Sequence, residues 1–177
     1  MLFRSSQVPA AVVLSPNATT FASLGESVLV SSQVQDAKGN RIIFATTTWS
    51  SSDNTVASVD GSGVVTAVKN GSATISATSL SAVGRITVNV SQAIKSIETT
   101  PSVTATLKLG GTLQCLAVGR DARNNFVPDS KIAWISLTPD LASVSPDGVV
   151  VARAEGAAII AASAAGASRS ITLYISR

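Results

Sequence analysis

The sequence predicts an all-β chain of two tandem antiparallel β-sandwiches, on three observations. The first is an internal repeat. Trp134 follows Trp49 by 85 positions (134 less 49). The same offset carries Leu24-Gly25 onto Leu109-Gly110, Asp36-Ala37 onto Asp121-Ala122, and Ala57-Ser58-Val59 onto Ala142-Ser143-Val144. A period that long is a whole small domain, because solenoid units run about 20–50 residues. The second is composition: Val and Thr are abundant and charged residues make up only 13%, which suits pleated strands rather than a disordered tail. The third is rhythm. Short alternating segments are broken by turn residues about every 8–12 positions, the spacing of a two-sheet sandwich.

Taken in order, residues 1–7 are a polar lead, 8–91 the first module and 92–177 the second. Ala11 to Leu14 is a strand that stops at Pro16-Asn17, a turn pair. Ser27 to Gln35 alternates, with Val28, Val30, Ser32 and Val34 on one face, the period-2 mark of a half-buried strand. Asp36 to Asn40 is a loop of turn residues. Thr46 to Ser50 reads as a strand around Trp49, and Val56 to Val59 as a short strand ended by Asp60-Gly61-Ser62-Gly63. Val64 to Val68 and Ala73 to Thr78 flank Asn70-Gly71, a dipeptide that predicts a hairpin between them. Arg85 to Val90 closes the module. The second repeats the order, with Lys131 to Ser136 around Trp134, a matching hairpin across Glu155-Gly156, and a last strand carrying Ile171, Leu173 and Ile175. The predicted core comprises Trp49, Val59 and Ile75 in one module, and Cys115, Trp134, Val144 and Ile160 in the other.

Composition excludes several functions. Histidine is absent and Cys115 is the single cysteine, so an intrachain disulfide and histidine chemistry are ruled out. Cys115 falls on Val30 in the repeat and reads as a small buried hydrophobe. The net charge of +3 comes from scattered cations, not the basic stripe with stacking aromatics that nucleic acids require. No apolar run reaches the ~20 residues that span a bilayer, so no membrane insertion is expected. Met1 to Ser5 lacks the apolar stretch of a signal peptide. Leu2-Phe3-Arg4-Ser5 matches the translated end of a sequencing adapter, so residues 1–7 are expected to include non-native sequence, with the natural protein extending further.

Thr48-Trp49-Ser50-Ser51-Ser52-Asp53, followed by Val56-Ala57-Ser58-Val59, Gly63-Val64-Val65-Thr66-Ala67 and Gly71-Ser72-Ala73-Thr74-Ile75, resembles the motif of the bacterial immunoglobulin-like group 2 family. The second copy is more divergent: the Ser-Ser-Asp run is lost after Trp134, Leu141 replaces Val56 and Val151 replaces Thr66. The resemblance implies an immunoglobulin-like fold, no catalytic residues, no cofactor, and a location at the surface of bacteria or their phages. Such domains form stalks of adhesins, parts of phage particles, and companions of carbohydrate-active enzymes.

The residues themselves offer little chemistry. Serine nucleophiles lack a histidine base. The acids fall mostly in turns, where an aspartate caps backbone N–H groups, rather than as a facing glycosidase pair. Calcium-loop spacing is absent and no metal is expected. The glycines are turn residues, not phosphate cradles. Phe44, Phe126 and Tyr174 are the candidate binding platforms, the two phenylalanines lying in similar loops before the tryptophan strands. Their simpler role is loop packing onto the sheet. The expected function is a non-enzymatic stalk, spacer or adhesion segment of a bacterial cell-surface or secreted protein. Two alternatives stand beside it: a module binding surface glycans or host and cell-surface proteins, and a subunit of a filament or phage particle that self-assembles through edge strands.

Overall fold

The computed structural model describes residues 8–177 and divides into two compact units, the first ending at Gln92 and the second beginning at Ala93. None of the described residues is helical. The first unit contains β1 (Ala11–Ser15), β2 (Ala18–Phe21), β3 (Ser27–Leu29), β4 (Ser31–Gln35), β5 (Thr48–Ser51), β6 (Ala57–Val59), β7 (Val64–Ala67), β8 (Gly71–Ser79) and β9 (Ala82–Val90). One layer is a four-stranded sheet in the order β2-β9-β8-β5, with β2 and β9 parallel. The other comprises β3-β7-β6 and the β1-β4 pair.

The alternating run from Ser27 to Gln35 serves both parts of that second layer. Its first half pairs with β7 and its second half with β1. Val30 is the joint. It is fully buried, and its N–H donates to the Gly63 carbonyl oxygen at 2.9 Å. Alternation puts Ile75, Ala77, Ile86 and Val88 inward, and these pack with Val12, Leu14, Phe21 and Val65 into one continuous core.

The second unit repeats the plan with β10 (Ser96–Thr100), β11 (Thr104–Lys108), β12 (Thr112–Gln114), β13 (Leu116–Arg120), β14 (Phe126–Val127), β15 (Ala133–Ser136), β16 (Ala142–Val144), β17 (Val149–Ala152), β18 (Gly156–Ala164) and β19 (Ala167–Ser176). Its sheets are β11-β19-β18-β15, β12-β17-β16 and β10-β13-β14. Cys115 stands where Val30 does, between β12 and β13, with its N–H on the Gly148 carbonyl at 2.8 Å. Its core falls into two clusters, one around Ile160, Ile171 and Leu173 and one around Ile97 and Ala162, with Trp134 packed against both.

Several expectations need correction. Asn70-Gly71 does not close a hairpin: β7 pairs with β3 and β6, while β8 pairs with β5 and β9. The N–H groups of Val68 and Lys69 both donate to the Val56 carbonyl, which carries the chain from one layer to the other. Glu155-Gly156 makes the same crossing, with Arg153 and Ala154 bonded to the Leu141 carbonyl. The tight hairpins lie instead at Leu80-Ser81 and Ala165-Gly166, which join β8 to β9 and β18 to β19. Trp49, Trp134, Val59 and Val144 are half-buried and pack onto the cores from their margins, whereas Ile75, Ile160 and Cys115 are fully inside. The lead over residues 1–7 lies outside the described residues.

Gly63 is needed where it stands. Its φ is +87°, and a Cβ there would sit 2.5 Å from the Val30 carbonyl oxygen and 2.7 Å from the Trp49 ring. Backbone strain of this kind costs about 1–3 kcal/mol, before any steric overlap. Gly63→Ala should therefore lower urea stability by at least about 1–3 kcal/mol. Gly61→Ala, where a Cβ meets nothing within 4 Å, should change it by less than about 0.5 kcal/mol. Equal effects of the two substitutions would show that the indole does not rest on Gly63.

Candidate functional site

Asp36, Asp53, Asp60 and Asp121 are occupied by the turns that contain them. The Asp36 carboxylate accepts the N–H groups of Lys38 and Asn40, both at 2.9 Å, and the Asn40 side-chain amide at 3.1 Å. Asp121 repeats the arrangement with Arg123 and Asn125, and is only 2% exposed. Asp53 accepts from the Thr55 hydroxyl and N–H, and Asp60 from the Ser62 hydroxyl and N–H and the Val64 N–H. Hydrogen bonds to the ionised form favour it. The Thr55 hydroxyl bond leads in holding Asp53 below the ordinary carboxylate value, and the Ser62 hydroxyl bond leads for Asp60. Among the described residues, no group of three or more His, Cys, Asp or Glu is placed to hold a metal ion. Burial pushes the Cys115 thiol up from its usual range, so it stays protonated, as its packing role requires.

The three aromatic candidates fall in three different settings. Phe44 lies in the loop before β5 and is 89% exposed, so it does not pack onto the sheet. It belongs to an apolar end of the first module. Ile43 beside it is 73% exposed, and Leu80, on the hairpin between β8 and β9, is 79% exposed. Phe44 and Leu80 border a cleft of about 320 Å³ with Pro9, Ile42 and Ser79. Sequence reasoning missed Ile43 and Leu80, because nothing local announced that a two-residue turn at Leu80-Ser81 would meet that loop.

Phe126 is not the counterpart of Phe44. It stands on β14 opposite Arg120. The matching bridge in the first module joins Gln35 to Arg41, so Phe126 takes the place of Arg41. The repeat puts Asp129 at the Phe44 position and Ala165 at the Leu80 position. The exposed apolar end is therefore a property of the first module alone.

Tyr174 is half exposed on β19, on the outer face of the four-stranded sheet. Its neighbours on that face include Ile159 on β18, Ile135 on β15 and Leu137 just beyond. The corresponding first-module positions are Asn89, Thr74, Ser50 and Ser52. Within the second module, Tyr174 on β19 and Phe126 on β14 stand in different sheets and do not form one site. The loss of the Ser-Ser-Asp run after Trp134 was the sequence signal for this face.

Two sandwiches of this strand order, joined end to end in sequence, define a tandem of immunoglobulin-like domains. Residues 10–90 match the family described as Bacterial Ig-like domain (group 2), and the first module belongs to that family. The second module, from about residue 96 to 177, repeats its sheet arrangement. Ice-binding protein 1 of Shewanella frigidimarina (strain NCIMB 400) is 29% identical over 136 residues, covering 75% of this chain. The chain spans about 15% of the length of that relative. Domains 4 and 5 of the S-layer protein SbsC are 17% identical, covering 96% of this chain and 99% of that one, with a TM-score of 0.45. A C-terminal fragment of intimin, solved with the intimin-binding domain of its translocated receptor, is 14% identical, covering 93% of this chain and 62% of that one, with a TM-score of 0.40. No function passes to this chain through structural likenesses so remote.

Asp53 and Asp60, held below the ordinary carboxylate pKa, set a pH window. A carboxylate whose folded value lies below its unfolded value stabilises the fold above the unfolded value, and that stability is lost as pH falls through the folded value. Thermal melting should be nearly flat from about pH 7 to 5 and fall below about pH 4. Asp60→Asn should melt with a shallower acid decline. A decline as steep as in the parent chain would mean that the Ser62 and Val64 contacts do not favour the ionised form.

Proposed function

We propose that the chain is a non-enzymatic stalk or spacer segment, with adhesive capacity, of a bacterial cell-surface or secreted protein. The observation that carries this reading is that each module closes a hydrophobic core of its own between two sheets of the same order. Membership of the first module in a bacterial immunoglobulin-like family supports it, as does similarity to part of a much longer bacterial protein. The function is mechanical: folded β modules in series set the distance between whatever flanks them. The uncharged polar groups of the first module, with Thr74, Ser76, Thr87 and Asn89 outward on β8 and β9, keep such a surface wetted with little charge.

If the modules are independent, a chain cut between Ser91 and Gln92 should give two fragments that each retain strand circular dichroism and melt cooperatively. Pulling on the intact chain should then give two unfolding events. A single event, with both fragments unfolded, would overturn the domain division. Polymerisation that rises with protein concentration would point instead to a filament or particle subunit.

A second reading is favoured by the exposure of Ile43, Phe44 and Leu80 at one end of the first module. Exposed apolar clusters of this kind mark contact sites, and a surface glycan or host protein is the partner proposed here. Binding of the two-module chain to glycan arrays and to bacterial and host cells checks it. Any signal at this site should vanish in Phe44→Ser, which should leave stability within about 0.5 kcal/mol of the parent. A signal indifferent to that change places recognition elsewhere.

A further inference from the structure

We propose that the second module binds an acidic polysaccharide, of the uronic acid type, in a groove on the outer face of β10 and β13, with Arg169 holding the sugar carboxylate. The groove has a volume of about 650 Å³ and runs the length of β10, within the range of small-molecule sites. Leu116 and Val118 on β13 give it an aliphatic floor. The hydroxyls of Thr100 and Ser102 lie along it, and Glu98 and Arg120 close it as an ion pair at 2.7 Å.

Arg169 supplies the charge that this pair leaves over. Its Nε and one terminal nitrogen each donate to the Ser102 carbonyl oxygen at 3.3 Å, and no carboxylate of the described residues lies within ion-pair distance of it. The groove therefore carries a net positive charge from one arginine. A planar guanidinium matches a carboxylate with two parallel hydrogen bonds. The aliphatic floor suits the C–H face of a sugar ring, while Thr100, Ser102 and the Glu98 carboxylate can meet its hydroxyls.

The position of Arg169 was not free for the fold to fill. Its counterpart in the first module is Gly84, where an added Cβ would stand 2.4 Å from the Val12 carbonyl oxygen. The second module carries an arginine where the first has no room for a Cβ. Leu116 and Val118 likewise replace Ser31 and Gln33. Three coordinated departures from the repeat thus line one groove, at a place distinct from the apolar end around Phe44.

The test is titration of the intact two-module chain, followed by amide chemical shifts, with a tetra-uronate, a neutral tetrasaccharide of the same linkage, and a sulfated oligosaccharide. The expected result is saturable binding of the uronate, with shifts along β10 and β13. Affinity should fall as salt rises, and by at least about tenfold in Arg169→Gln. Leu116→Ser, which restores the first-module residue, should also weaken it, and Phe44→Ser should leave it unchanged. Amide spectra of the variants report whether each is folded. Equal binding of the neutral sugar, indifference to Arg169→Gln in a folded variant, or no saturable binding below about 10 mM would overturn the proposal. Preference for the sulfated ligand would overturn the carboxylate assignment.

Discussion

The contact between Gly63 and the backbone of Val30 is the constraint on which each module depends. The Val30 N–H reaches the Gly63 carbonyl at 2.9 Å, and the missing side chain of Gly63 lets the Val30 carbonyl and the Trp49 indole close on the same spot. Here one extended run gives up β7 as its partner and takes β1. Without a buried, bonded joint at Val30, the run would leave unpaired polar groups in the interior, each costing about as much as a lost hydrogen bond. Gly148, Cys115 and Trp134 rebuild the same contact in the second module, with the Cys115 N–H at 2.8 Å. The repeat seen in sequence is thus largely the repeat of this joint and its cover.

Most of the architecture was legible because burial and turn chemistry are local. Alternation in Ser27–Gln35 named the inward face, and Asp36 and Asp121 named their loops through carboxylates that bond the backbone two and four residues on. Pairing was less legible, because it is not local. A period of two states which face a residue presents, never which strand lies beside it. Asn70-Gly71 misled for that reason: the dipeptide suits a tight turn, but the Val56 carbonyl captures the two N–H groups before it and turns the chain across the sandwich. Leu80-Ser81 carries no such signal and yet forms the tight connection, with Leu80 itself at φ 52°. Long-range pairing of nine residues in each strand decides that turn, and the local sequence yields to it.

The candidate surfaces were legible only in part, and the second copy explains why. A residue read singly, such as Phe126, invites comparison with the nearest similar residue, Phe44, although the bridges show that Phe126 replaces Arg41. Read against its structural counterpart, each position becomes a controlled substitution. Asn89, Thr74 and Ser50 become Tyr174, Ile159 and Ile135 with no change of strand order. The fold tolerates polar or apolar groups on that outer face, so core packing does not dictate which it carries.

The same reasoning shows where recognition chemistry can reside in a chain so sparing of charge. Glu26 caps the turn at Ala22 and Ser23, Asp53 and Asp60 cap theirs, Glu98 is taken by Arg120, and Glu155 by Arg177. Carboxylates bound within turns and pairs project little field beyond their own loop, since exposed charges are screened within about 8–10 Å at physiological salt. Long-range steering by net charge is therefore weak, and selectivity must come from contact. A side chain can provide such contact only where local structure leaves part of it unused, as the Ser102 carbonyl leaves the other N–H groups of Arg169. Phe44, left bare by its loop, and Arg169, standing where the other module can admit only glycine, meet that condition through opposite chemistry: one excludes water from an apolar end, the other holds a charge at the edge of a groove. Two modules of one fold thus present different surfaces, because the joint that builds the sandwich leaves its loops and outer faces free to diverge.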